Sequence, residues 1–139
     1  MRNSGFTLIE LLVVVGIIAI MSAVVTVAVN PARQFANARD TQRRTDLYAL
    51  TSALVQYQID NAGKLPDQDN FPSTATCVGD TPPCFNLGSY LVPLYLPEIS
   101  TDPSTGTPAH TQYFIHQEAT RKIVATASGE ITPLISINR

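Results

Sequence analysis

Gly5-Phe6-Thr7-Leu8-Ile9-Glu10-Leu11-Leu12 opens an apolar run that continues to Val29 and carries one charge, Glu10. Residues 6–29 are otherwise aliphatic, aromatic or small. As a helix, this run is roughly 36 Å long, enough to cross a hydrocarbon core of about 30 Å. A carboxylate near the centre of such a core costs about 2.5–3.5 kcal/mol, and less toward an interface. An acid inside a membrane span therefore points to function unless it snorkels to the headgroups at its own end of the helix. An ordinary cleaved signal peptide competes with the span, because Arg2 gives a charged start and Thr26-Val27-Ala28 a small-residue cleavage site. The run is longer than the 7–15 residues typical of such a segment and has Glu10 near its front.

After Val29, 110 residues remain of the 139, enough for one modest core. The net charge of −2 excludes a strongly basic field of the kind that advertises nucleic-acid binding. Arg33, Arg39, Arg43 and Arg44 follow the span and outnumber Arg2 before it. Counted literally, the positive-inside rule places the C-terminal region in the cytoplasm.

From Ala32 to Ala62 there is neither Pro nor Gly. Leu47, Leu50, Leu54 and Tyr57 recur at offsets 0, 3, 7 and 10, with Tyr48, Val55 and Ile59 widening the stripe. Charged residues are expected on the other faces. Gly63 and Pro66 end the pattern. The economical expectation is one long helix over about residues 6–62, kinked near Pro31. Its first half is apolar all round and its second half amphipathic. Eight of the ten prolines lie between Pro66 and Pro108, which predicts loops with a short helical turn near Leu87–Leu96. Gln112–His116, Ile123–Ala127 and Ile131–Ile137 then read as a small antiparallel meander, with Pro133 confining the last to an edge. The fold class is α+β, with the amphipathic half-helix packed on the sheet.

Residues 2–29 resemble the N-terminus of type IV prepilins and of the pseudopilins of type II secretion. The likeness rests on a short basic leader ending in Gly5, then Phe6-Thr7-Leu8-Ile9-Glu10-Leu11-Leu12 and a hydrophobic helix. It extends more loosely through Ala38-Arg39-Asp40, Asp46-Leu47 and Ala53-Leu54 to Tyr57 and Asn61-Ala62-Gly63-Lys64-Leu65-Pro66. Many members carry a proline within the span, whereas here it follows the span as Pro31. The resemblance implies cleavage between Gly5 and Phe6 by a prepilin peptidase and N-methylation of Phe6. Cleavage would create an α-amine of pKa about 7.7–8.0 on the helix itself. That cation and Glu10 offset one another, within one subunit at i and i+4 or between neighbouring subunits. Phe6 and Glu10 thereby become assembly residues, since a polar contact can select register where apolar packing in lipid cannot.

So divided, the chain has a leader at 1–5, an assembly helix at 6–29 and an amphipathic half at 30–62. A Pro-rich region at 63–110 and strands at 111–139 follow. Its expected role is a pilin: a single-pass precursor in the inner membrane, C-terminal domain outside, then a subunit of an extracellular filament. Its partners are copies of itself and related pilins, the peptidase/methyltransferase and the assembly machinery. A pseudopilin in a periplasmic pseudopilus and a DNA-uptake pilin are the alternatives. The Asp-Pro-Trp-Gly stretch of many major pseudopilins is only partly echoed by Asp102-Pro103-Ser104-Thr105-Gly106. From a different class, a monomeric membrane-anchored binding domain also fits.

Other constellations are weaker. Cys77 and Cys84, the only cysteines, lie in a Pro-rich loop. A disulfide there adds about 2.5 kcal/mol by chain entropy and requires an oxidising compartment, which opposes the arginine count. Free thiols and a metal site remain open, with His110 the nearest histidine. Asp67 and Asp69, and separately Glu98 and Asp102, are either solvated turns or calcium ligands, though neither pair has the pattern of an EF-hand. Arg33, Arg39, Arg43 and Arg44 either contact DNA phosphates or pair with acids and lipid headgroups. With two histidines and no nucleophile, metalloprotease or phosphate-loop motif, no enzymatic activity and no cofactor are expected.

Overall fold

The computed structural model describes residues 5–139; residues 1–4, and with them Arg2 of the leader, lie outside the described residues. The chain divides into two compact units, Met1–Phe35 and Ala36–Arg139. The first is built on helix α1, Leu8–Val29. It has the length and composition to cross a membrane, and its large apolar side chains are exposed, Leu8 at 81%.

Near Pro31, where the kink is expected, one helix gives way directly to the next. Asn30 adopts a left-handed conformation (φ 46°), which ends α1, and α2 (Pro31–Asp60) starts at the next residue. Asn tolerates that geometry better than most residues, and Pro fits the first helical position because its missing N–H has no partner to lose. The Asn30 side chain and carbonyl both accept from the Arg33 N–H, at 3.3 and 3.1 Å, so one residue ends the first helix and caps the second.

In the second unit α2 ends where Gly63 takes φ 83° and its N–H reaches the Gln58 carbonyl at 2.7 Å. Glycine meets that positive φ without a steric penalty. Four antiparallel strands follow in the order β1-β2-β3-β4: β1 Thr76–Cys77, β2 Tyr113–Gln117, β3 Ile123–Ser128 and β4 Leu134–Asn138. A one-turn helix α3, Gly88–Leu91, lies in the Pro-rich region. The meander is therefore present, with a fourth strand too short for periodicity to reveal. The last strand starts late. The N–H groups of Glu130, Ile131 and Thr132 donate to the Asp40 carboxylate, so the chain enters β4 only after Pro133.

Alternation along the sheet turns Tyr113, Ile115, Ile123, Ala125, Ala127 and Ile135 inward. Leu50, Leu54, Leu65, Val78, Leu87, Leu91, Ile115 and Ile123 form one cluster, and Leu47, Tyr113, Ala125, Ala127 and Ile135 another. Burying each large aliphatic side chain contributes roughly 1.5–3 kcal/mol. Two expectations about α2 are corrected. Tyr48 and Ile59 do not widen the buried stripe, being 54% and 68% exposed. Nor are the charges confined to the outer faces, because Asp40, Arg43 and Asp46 are buried.

Candidate functional site

Phe6 and Glu10 sit at the N-terminal end of α1, both exposed. Thr7 is the N-cap of the helix and Glu10 its third residue, and the two form a reciprocal capping box. The Glu10 Oε2 accepts from the Thr7 N–H at 2.9 Å and from the Thr7 hydroxyl at 2.7 Å. In return the Glu10 N–H donates to Thr7 Oγ1 at 3.3 Å. One carboxylate oxygen is thereby engaged inside the subunit while Oε1 makes no hydrogen bond among the described residues. Sequence reasoning passed over Thr7, although Thr-x-x-Glu before an apolar run is a legible capping signal.

Phe6, Ile9, Glu10, Val13 and Val14 line an open apolar surface, with the acid set among them. Gly5 precedes this surface, and a Cβ added to it would meet nothing. A Gly5→Ala change therefore tests what reads the residue rather than how the chain folds.

The second unit holds an ion-pair network centred on Arg43. Its Nε donates to Asp102 at 2.5 Å, its Nη1 to Asp40 at 2.8 Å, and its Nη2 to the Ser104 hydroxyl at 2.6 Å. Glu130 accepts from both terminal nitrogens at 3.2 Å and is itself held by Arg39 through two bonds of 2.6 and 2.5 Å. Burial alone would raise the Asp40 carboxyl, but three backbone N–H groups and Arg43 outweigh it and hold it well below the usual range. Asp102 is likewise raised by burial and lowered further by Arg43 and the N–H groups of Ser104 and Thr105, settling at about 2. Arg39, then Arg43, bring Glu130 to about 2. Burial and the Asp46 carboxylate at 2.7 Å push the Tyr113 hydroxyl up.

These three depressed carboxyls bind fewer protons folded than unfolded between about pH 2 and pH 4. Their stabilisation is fully present above about pH 5 and is lost as pH falls through the folded values. Denaturant titrations followed by circular dichroism should show the sharpest loss of stability between about pH 4 and pH 2.

The network engages Asp102 and two of the four arginines. Arg43 is buried and Arg39 is paired with Glu130, whereas Arg44 reaches only the Thr132 hydroxyl at 3.0 Å. Asp102 is buried, and Arg43 donates to both its carboxylate oxygens. Asp67 accepts from the Asn70 amide at 3.1 Å, while Asp69 and Glu98 are exposed. The four acids are not brought together as a ligand set among the described residues.

Cys77 and Cys84 form a disulfide, and two backbone hydrogen bonds through Phe85 tie the loop down. His110 lies close enough to complete a three-residue metal set, but both sulfurs are in the disulfide. Its Nδ1 accepts from the Gln112 N–H at 3.2 Å.

No curated protein and no solved structure matches the chain. The apolar helix and its N-terminal motif indicate membrane anchoring of the precursor. Residues 1–26 match the family model described as the prokaryotic N-terminal methylation motif, so the chain carries the prepilin signature of type IV pilins and pseudopilins.

Proposed function

We propose that the chain is a structural subunit of a type IV pilus-like filament, cleaved after Gly5, methylated on Phe6 and polymerised through α1. The observation that carries this reading is the Gly5-Phe6 junction followed by Glu10 on an apolar helix long enough to cross a membrane. An apolar helix of that kind needs lipid or other copies around it. Its one acid needs a cation, which cleavage would supply one residue before the N-cap. Glu10 Oε1 is the atom available to receive it, from its own Phe6 or from that of a docking neighbour. The function is assembly, with no reaction and no cofactor assigned to the chain.

The Cys77–Cys84 disulfide favours an oxidising compartment and so supports placing the second unit outside the cytoplasm, against the arginine count. A DNA-uptake role drawing on the four arginines loses its footing, since Arg43 is buried and Arg39 is paired. A pilus and a pseudopilus differ in where the processed chain ends up. Mechanical shearing of cells should release the processed chain, polymerised, into the extracellular fraction. Retention of all processed chain in the cell envelope would favour the pseudopilus.

A further inference from the structure

A cavity of about 260 Å³ lies beside the start of β2 in the second unit, with buried Val78 and Leu87 and half-buried Ile99 in its lining. Exposed Asp80, Asn86 and Glu98 also line it, and no cation contributes to the lining. The ion pairs among the described residues all involve Arg39 or Arg43, so neither Asp80 nor Glu98 has a charged partner. Asp80 accepts only the Thr81 hydroxyl, at 2.9 Å. An apolar floor under two unneutralised carboxylates is complementary to a long aliphatic stem ending in a cation. The volume is below that of a typical drug-sized site and suits a single side chain.

Such a group stands at the other end of the same strand. The β2–β3 turn exposes Arg121 and Lys122, neither in an ion pair among the described residues. The turn is braced by the Glu118 N–H on the Lys122 carbonyl at 2.9 Å and the Arg121 N–H on the Glu118 carbonyl at 2.8 Å. The Glu118 carboxylate in this turn accepts from the Thr120 hydroxyl at 3.0 Å. Thr111 lines the cavity and Glu118 begins the turn, and the five residues of β2 between them span roughly 13 Å at about 3.3 Å per residue. No lysine side chain folds back over that distance. Lys122 is therefore placed to meet these acids from a second copy rather than by folding back along its own strand.

We propose that this cavity receives Lys122, with Arg121 alongside, from the β2–β3 turn of a neighbouring copy of the chain. The contact joins two different patches, and such a head-to-tail interface repeats without limit unless rotation closes it into a ring. It rests on the filament reading and adds a register-setting contact between globular units to the contact between apolar helices. A rim ion pair contributes little by itself, but placing like charges together is strongly unfavourable, so the pair would act mainly through selectivity.

The test uses filaments of the full chain assembled from mixed light and heavy-isotope copies and treated with a carbodiimide. This reagent joins an amine to a carboxylate as an amide with loss of water, through its own conversion to a urea. The expected product is a mixed-isotope peptide pair linking Lys122 to Glu98 or Asp80. Lys122→Glu and Glu98→Lys should each lower assembly roughly tenfold with thermal unfolding unchanged, and the two together should restore it. Filaments that form without this cross-link and are indifferent to both reversals would overturn the contact while leaving the filament reading intact. So would a cavity that binds a free polyamine with no effect on assembly. Failure of the wild-type chain to assemble at all would refute the filament reading, and this contact with it.

Discussion

Glu10→Ala is expected to leave cleavage after Gly5 intact and to lower the assembled fraction about tenfold or more. The change removes the acid that the new Phe6 amine would meet, leaving a cation on an apolar helix without its partner. Interhelical polar contacts in membranes are worth about 1–2 kcal/mol, and 1.4 kcal/mol is a factor of ten in an equilibrium. The substitution also removes the Glu10 side-chain half of the capping box, while the backbone N–H of residue 10 still donates to Thr7 Oγ1. Glu10→Gln separates the two effects, because Gln at this position still reaches the N-cap N–H while carrying no charge. If charge pairing drives assembly, Glu10→Gln should fail nearly as badly as Glu10→Ala. Quantifying sheared filament against processed membrane-bound chain reads both variants. Assembly of Glu10→Gln at the wild-type level would reduce the acid's role to capping.

Arg43→Ala should be the most damaging single change in the second unit. The guanidinium bridges α2, the 102–104 loop and the turn before β4 through Asp40, Asp102, Ser104 and Glu130. Its removal strands Asp40 and Asp102, both buried, without their cation. Breaking a buried pair in this way costs about 3–5 kcal/mol, a large part of the 5–15 kcal/mol available to a domain. At about 4–8 °C per kcal/mol for a domain of this size, the melting temperature should fall by at least about 10 °C. Arg43→Lys should recover little, since one ammonium cannot reproduce the forked contacts to Asp102, Asp40 and Ser104. Arg44→Ala, next along the chain and exposed, should shift stability by no more than about 0.5 kcal/mol. Thermal unfolding of the three variants side by side checks the whole set.

The N-terminal segment was legible because its chemistry is local. An apolar run, one acid and a Gly-Phe junction all lie within a few residues of one another. The same holds for the stripe Leu47, Leu50 and Leu54, which is buried as its spacing requires. Thr7 was equally local, and its capping role could have been read from Thr-x-x-Glu. The Arg43 network could not, because its partners lie 59 and 87 residues away along the chain. A charge on a helix looks solvated until something distant arrives to pair with it. The start of β4 was misjudged for the same reason: the N–H groups of residues 130–132 turn to Asp40 rather than to a neighbouring strand. The left-handed conformation of Asn30 needed the backbone geometry, since Pro31 alone is compatible with a simple kink. Tyr48 matched the helical stripe by position, yet its ring remains exposed and stacks beneath Arg139 at 4.4 Å.

The central claim is that the chain is a prepilin-type precursor whose working N-terminus is Phe6. The intact mass of the chain co-produced with a prepilin peptidase and methyltransferase tests it most directly. The expected wild-type product lacks residues 1–5 and carries one added methyl group on Phe6. Gly5→Ala, which has open space around its new methyl, should fold normally and keep its leader. A wild-type chain that retains residues 1–5, or one cut after Ala28, would contradict the account.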